Sequence, residues 1–192
     1  YVYDTSKLDQ WQIVFDHMMQ KGVKVHFVLS EAEQQSLYEL FDDFEGDDQF
    51  ANARKIYYRE MVARFGYLNA ITWNLGEENG WDRPEHIYGR GLTNNQQIAF
   101  AGYIDSLAYY NDNITLQNGH AHDDSIFTNL IGDNSFTGTR LQGVAWDTRR
   151  SRTSVFKWKE KSDLANKKWV VSYDEAFHSN FTGYDVFRQK AL

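Results

Sequence analysis

This chain of 192 residues contains no cysteine, which excludes disulfides and thiol chemistry and leaves the redox compartment undecided. There is one proline, and no low-complexity stretch, repeat or linker divides the chain, so a single domain over residues 1–192 is expected. No apolar run approaches the roughly 20 residues of a membrane span. Basic charge is also short. With 20 Lys and Arg against 27 Asp and Glu, the formal net charge is -7, the wrong sign for a nucleic-acid partner. The densest basic stretch, Arg149 to Lys161, has helical spacing and reads as a solvated helix face. Phosphate-cradling glycine loops, GxGxxG and serine nucleophile elbows are absent too, which argues against nucleotide enzymes and serine hydrolases. Tyr1 is not an initiator residue, so the chain is expected to be a processed or partial product.

Aromatic side chains are plentiful: six Trp, twelve Tyr and thirteen Phe make 16% of the chain. Such rings pack cores, and they also stack on sugar faces. Hydrophobic periodicity then alternates along the sequence. Ser6 to Lys21 has helical spacing (Leu8, Trp11, Phe15, Met18, Met19), with caps at Asp4-Thr5-Ser6 and a stop at Gly22. Val23 to Leu29 reads as a strand. Asp47 to Phe65 follows as a helix striped by Phe50, Ala53, Tyr57, Met61 and Phe65, then Ala70 to Leu75 as a strand. Thr93 and Gln96 form a capping box for a helix to about Tyr110. Strands are expected at Ile114 to Gln117, Gly138 to Val144 and Trp169 to Tyr173, with a charged helix from Asp147 to about Ala165 before the last. Strict alternation predicts βαβ units on a parallel sheet, an α/β fold.

Five strands are too few for a closed (β/α)8 TIM barrel, which needs eight in about 250 residues. A section of a barrel is favoured over a smaller open sheet, because the first helix has no strand before it. The chemistry gathers where two strands end. Ala70-Ile71-Thr72-Trp73-Asn74-Leu75 runs into Gly76-Glu77-Glu78, and Trp169-Val170-Val171-Ser172-Tyr173 runs into Asp174-Glu175. Carboxylates paired at one rim of a sheet are what a glycosidase needs. Side chains alternate along a strand, so Thr72, Asn74, Gly76 and Glu78 share one face, and Trp73 points the other way into the core. At the second strand alternation favours Asp174, and a bulge would be needed to re-aim Glu175. The blander alternative is that such acids cap the next helix or pair with arginine.

The segment Trp73-Asn74-Leu75-Gly76-Glu77-Glu78 resembles the fourth-strand signature of the clan of retaining (β/α)8 glycoside hydrolases. Val170-Val171-Ser172-Tyr173-Asp174-Glu175 resembles that clan's seventh strand. Tyr3-Asp4-Thr5-Ser6-Lys7-Leu8-Asp9-Gln10-Trp11, Tyr57-Tyr58-Arg59-Glu60, Arg64-Phe65-Gly66 and Trp169-Val170-Val171 are similar to segments of secreted bacterial polysaccharide-degrading barrel enzymes. Those enzymes often carry an upstream immunoglobulin-like domain and a collagen-binding-like tail. The resemblance covers most of residues 1–177 and implies a chain running from the second helix to just past the seventh strand. It implies Glu78 as acid/base, Glu175 as nucleophile, a polysaccharide or oligosaccharide substrate, no cofactor and no metal, and a secreted or periplasmic location. Where the clan has Asn before the acid/base, this chain has Glu77, which stays the alternative acid.

Asn74, Trp81, His120, Trp146 and Tyr173 lie near strand ends and are the candidate substrate-binding residues. His120-Ala121-His122-Asp123-Asp124 offers a rival reading, a metal-dependent hydrolase, although no third strong ligand stands at a recognisable spacing. A non-catalytic carbohydrate-binding barrel is the other. His26 is expected in the core and Glu31 near the sheet's mouth. Asp42-Asp43 through Asp47-Asp48 suits a solvated face better than a Ca²⁺ site.

Overall fold

The computed structural model describes residues 3–30, 52–77, 94–110, 112–118, 123–142 and 148–174. Among them the chain is mixed helix and strand: α1 (Thr5–Gln20), β1 (Val25–Val28), α2 (Asn52–Phe65), β2 (Ile71–Asn74), α3 (Asn94–Leu107), β3 (Asn113–Thr115), β4 (Gln117–Asn118), α4 (Asp123–Leu130), β5 (Gly138–Gln142), α5 (Thr148–Leu164) and β6 (Val170–Asp174). Of the caps offered by Asp4-Thr5-Ser6, the helix uses Asp4, whose side chain accepts from the Lys7 amide. Gly22, which follows α1, has φ +69, a left-handed conformation that glycine adopts without steric cost. Gly66 ends α2, and a Cβ there would stand 2.6 Å from the Val62 carbonyl oxygen.

Two differences from the expected elements have physical causes. The strand expected at Ile114 to Gln117 is split at Leu116 into β3 and β4, because its two halves pair with different neighbours. Helix α4, Asp123–Leu130, is not among the elements expected from the sequence. Its signal was present in the spacing of Phe127 and Leu130, both of which are buried.

Every strand pair is parallel. One three-stranded sheet has the order β1-β2-β3 and the other β4-β5-β6. Hydrogen bonds cross between them: the Thr137 amide donates to the Ile114 carbonyl at 3.0 Å, and the Arg140 amide to the Leu116 carbonyl at 3.0 Å. The run from Asn113 to Asn118 therefore serves both sheets, and its neighbours follow in chain order with no reversal.

One face of the first sheet meets the helices through aromatic rings. Phe27 of β1 and Trp73 of β2 stand 5.4 Å apart, and Phe15 of α1 and Phe65 of α2 close on Phe27 at 6.0 and 5.5 Å. Each such pair is worth about 0.5–1.5 kcal/mol beyond the area it buries. Trp73 is fully buried, as its place in the strand predicts. In the second half, Phe127 of α4 meets Trp158 of α5 edge-on at 5.2 Å. Salt bridges are peripheral: Arg64 ties Asp9 of α1 and Glu60, and Lys157 and Lys161 of α5 hold Asp124 of α4. Exposed pairs of this kind contribute about 0–1 kcal/mol. No described helix is long and apolar enough to cross a membrane.

Trp73 carries one polar obligation into the core, donating from Nε1 to Asp112 Oδ2 at 2.9 Å. Burial pushes the Asp112 carboxyl above the usual aspartate range, and the indole hydrogen bond partly opposes this. The folded chain then binds this proton more tightly than the unfolded chain does. Stability should fall as pH rises from the unfolded aspartate value of about 3.9 through the folded one. An Asp112→Asn variant should lack that component. Urea midpoints measured across this range should converge with wild type at the acid end and lie above it at the neutral end.

Candidate active site

The carboxyl ends of β1, β2 and β3 are tied together by a network of bonds that begins at Asn74, the last residue of β2. Its backbone carbonyl accepts from the Leu29 amide at 2.8 Å, and the next amide, Leu75, donates to the Thr115 carbonyl at 2.9 Å. Its side chain does a third job. Asn74 Oδ1 accepts from the Gly76 amide at 3.3 Å and from the Gln117 amide at 3.1 Å. The Gln117 amide also reaches the Gly76 carbonyl at 3.2 Å. A side-chain amide thus supplies an acceptor where Leu116 interrupts the strand, and it fixes the turn that leaves β2.

From the other flank, Ser30 holds the same turn. Its hydroxyl donates to the Leu75 carbonyl, and its own carbonyl accepts from the Glu77 amide at 3.1 Å. Tyr57 of α2 braces the end of β1 by donating to the Leu29 carbonyl at 3.0 Å, and burial pushes its phenol pKa well up, so it stays a neutral donor. Leu75, Gly76 and Glu77 are therefore gripped between β1 and β4, with Glu77 half-buried at the rim.

Below this rim runs a lane of buried polar groups. The rings of Phe27 and Trp73 face the helices, so alternation turns Thr72 and Asn74 to the opposite face of the sheet. Asn74 is in register with Thr115. Thr72, Asn74, Thr115 and Gln117 are each no more than 2% exposed. Thr72 Oγ1, Asn74 Nδ2, Thr115 Oγ1 and Gln117 Oε1 have no hydrogen-bond partner among the described residues. Leaving a buried polar group unpaired costs about 1–3 kcal/mol, and several together on one face call for a functional reason.

Of the residues singled out from the sequence, Asn74 begins this turn and Glu77 ends its described part. Tyr173 lies in β6, paired through the backbone with Leu141, and Asp174 with Gln142. Glu78, Trp81, His120, His122, Trp146 and Glu175 lie outside the described residues, as do Glu31 and the acidic loop at 42–48. His26 is half-buried in β1, in register with Thr72. Among the described residues no group of His, Asp and Glu could hold a metal ion. Sequence reasoning missed Ser30 and Gln117 as clamps. Their signal is positional: a hydroxyl just past one apolar strand, and an amide where the next strand changes partner.

No family model and no curated protein matches this chain.

Asn74→Ala would strand the Gly76 amide and part of the Gln117 bonding in a buried place. A loss of about 2–4 kcal/mol is expected, and about 1–2 kcal/mol for Ser30→Ala. Urea denaturation checks both. A change below about 0.5 kcal/mol, the ordinary surface value, would show that the turn does not depend on these side chains.

Proposed function

We propose that the protein is a retaining glycoside hydrolase acting on a polysaccharide, with this chain forming the second helix to the seventh strand of a (β/α)8 barrel. The observation that carries the reading is the gripped turn at the end of β2. It holds Glu77, the residue before Glu78 in sequence, at the rim over a lane of buried polar groups whose spare donors and acceptors suit sugar hydroxyls or the water they displace.

Strand order supports the architecture. An open doubly wound sheet reverses its order at a switch point, whereas a barrel adds strands in sequence. Among the described residues the order runs in sequence within each three-stranded sheet, and backbone bonds to Ile114 and Leu116 join the two. Residue Glu175 follows the last residue of β6, three strand spacings from β2, about 14 Å along a flat sheet. Retention needs carboxyl groups about 5–5.5 Å apart. Curling the sheet shortens the chord, and the proposal requires Glu78 and Glu175 to reach across what is left.

In the mechanism Glu175 attacks the anomeric carbon while Glu78 protonates the leaving glycosidic oxygen. Glu78 then takes a proton from water, which releases the sugar from Glu175. Glu77 is the alternative acid. Asn74, with Oδ1 committed to the backbone, would offer Nδ2 to a sugar hydroxyl. Trp81, His120, Trp146 and Tyr173 would complete the subsites. The same resemblance makes the protein secreted or periplasmic.

The experiment is hydrolysis of plant and algal polysaccharides by the protein containing this chain, with product stereochemistry followed by NMR. Glu78→Gln and Glu175→Gln should each lower kcat by at least about 100-fold, the usual scale for removing an acid/base group, and Glu77→Gln should cost less. First-formed product should retain the anomeric configuration. Full hydrolysis by either of the first two variants, or an inverted product, would overturn the assignment. Binding of oligosaccharide without turnover would leave a carbohydrate-binding barrel instead.

A further inference from the structure

The opposite, amino-terminal ends of the strands carry a second concave surface. A hollow of about 400 Å³ between α2 and α3 is lined by Arg59, Tyr67, Leu107, Tyr109 and Tyr110. A second, of about 320 Å³, is lined by Lys24, Asn69, Asp112 and Asn113, and it shares Tyr110 with the first. The two hollows adjoin at Tyr110, one with aromatic lining and the other polar, and we read them as one groove. Ile71 at its edge opens β2, whereas Glu77 lies past the opposite end of that strand.

The tyrosines are the anomaly. Tyr109 is 91% exposed and Tyr110 54%, so neither ring is placed there to fill the core. Their centroids are 5.1 Å apart with planes at 89°, and each ring braces the other while offering a face to solvent. Past Tyr110 the chain turns through the bond from the Asp112 amide to the Tyr110 carbonyl at 2.8 Å, which sets the rings directly beside the polar half. There Asp112 is fixed by the Trp73 indole on Oδ2, with Oδ1 left to accept. Asn113 is held from Thr137 Oγ1 at 3.3 Å.

A pyranose has apolar C–H faces and a rim of hydroxyls. Aromatic faces match the first, and planar carboxylate and amide groups match the second. We propose that the groove from Tyr109 to Asp112 is a second carbohydrate-binding site, one that holds a polysaccharide chain away from the strand-end carboxylates. A proline-rich peptide would use the rings and leave Asp112, Asn69 and Asn113 unmatched, so the polar half favours the sugar. The site stands whether or not those carboxylates hydrolyse anything.

Affinity electrophoresis tests this in gels containing agarose, κ-carrageenan, xylan or laminarin, run cold so that turnover does not contribute. At least one gel should retard the wild-type protein. Tyr109→Ala/Tyr110→Ala should weaken that retention roughly tenfold or more, about 1.4 kcal/mol, and Tyr109→Ala alone should weaken it less. Circular dichroism and thermal unfolding should be unchanged, since the rings are largely outside the core. Retention by the double variant equal to wild type would overturn the proposal. So would failure of all four gels to retard the wild type, or a polyproline peptide that shifts the tyrosine NMR signals where no polysaccharide does. Loss of hydrolysis in Glu78→Gln with retention intact would separate this site from the catalytic one.

Discussion

The turn that leaves β2 depends on one shared amide where the two halves of the sheet meet. The Gln117 N–H is shared between Asn74 Oδ1 and the Gly76 carbonyl, at the point where the run from Asn113 to Asn118 stops pairing with β2 and begins pairing with β5. Parallel strands do not turn corners freely, because their bonds are evenly spaced and a break leaves donors and acceptors unmet. Asn74 meets them with a side chain. The price of that solution is a fully buried amide whose nitrogen has no partner among the described residues.

The same bond reaches forward into chemistry. Because Gly76 is fixed from one side by Asn74 and Leu75 from the other by Ser30, the turn bearing Glu77 has little freedom to wander. Acid/base and nucleophilic carboxylates must be held to within about half an ångström of their working positions, and a turn gripped by two neighbouring strands is a rigid place to mount one. The unpaired hydroxyls and amides below give the interior a polarity that a purely structural core has no reason to keep. Stability is surrendered on this face and recovered on the other, where Phe15, Phe27, Phe65 and Trp73 interlock.

The two ends of the strands differ in kind. At the carboxyl ends the polar groups are buried and bound to backbone. At the amino ends Tyr109 and Tyr110 are in water, and the polar groups beside them line an open groove. A chain polymer fits the second arrangement and a distorted single sugar the first, so the two surfaces divide holding from reacting within one proposed substrate class.

Periodicity alone determined the alternation of helix and strand, the Asp4 cap, the stop at Gly22 and the burial of Trp73, because each depends on neighbours three, four or two residues away. It also marked the strand that leads to Glu77, since an apolar run that stops at acids is a local pattern. Other features depended on distant parts of the chain. The split at Leu116 arises because β3 answers to β2 and β4 to β5. Asn74 became a clamp because folding brought the amide of Gln117, far off in sequence, within reach of its side chain. Ser30 acquired its role only when β1 lay beside the end of β2. Local sequence fixes which bonds a residue can make within a turn of helix or a pleat of strand. Only the folded sheet decides which distant backbone groups are left needing them.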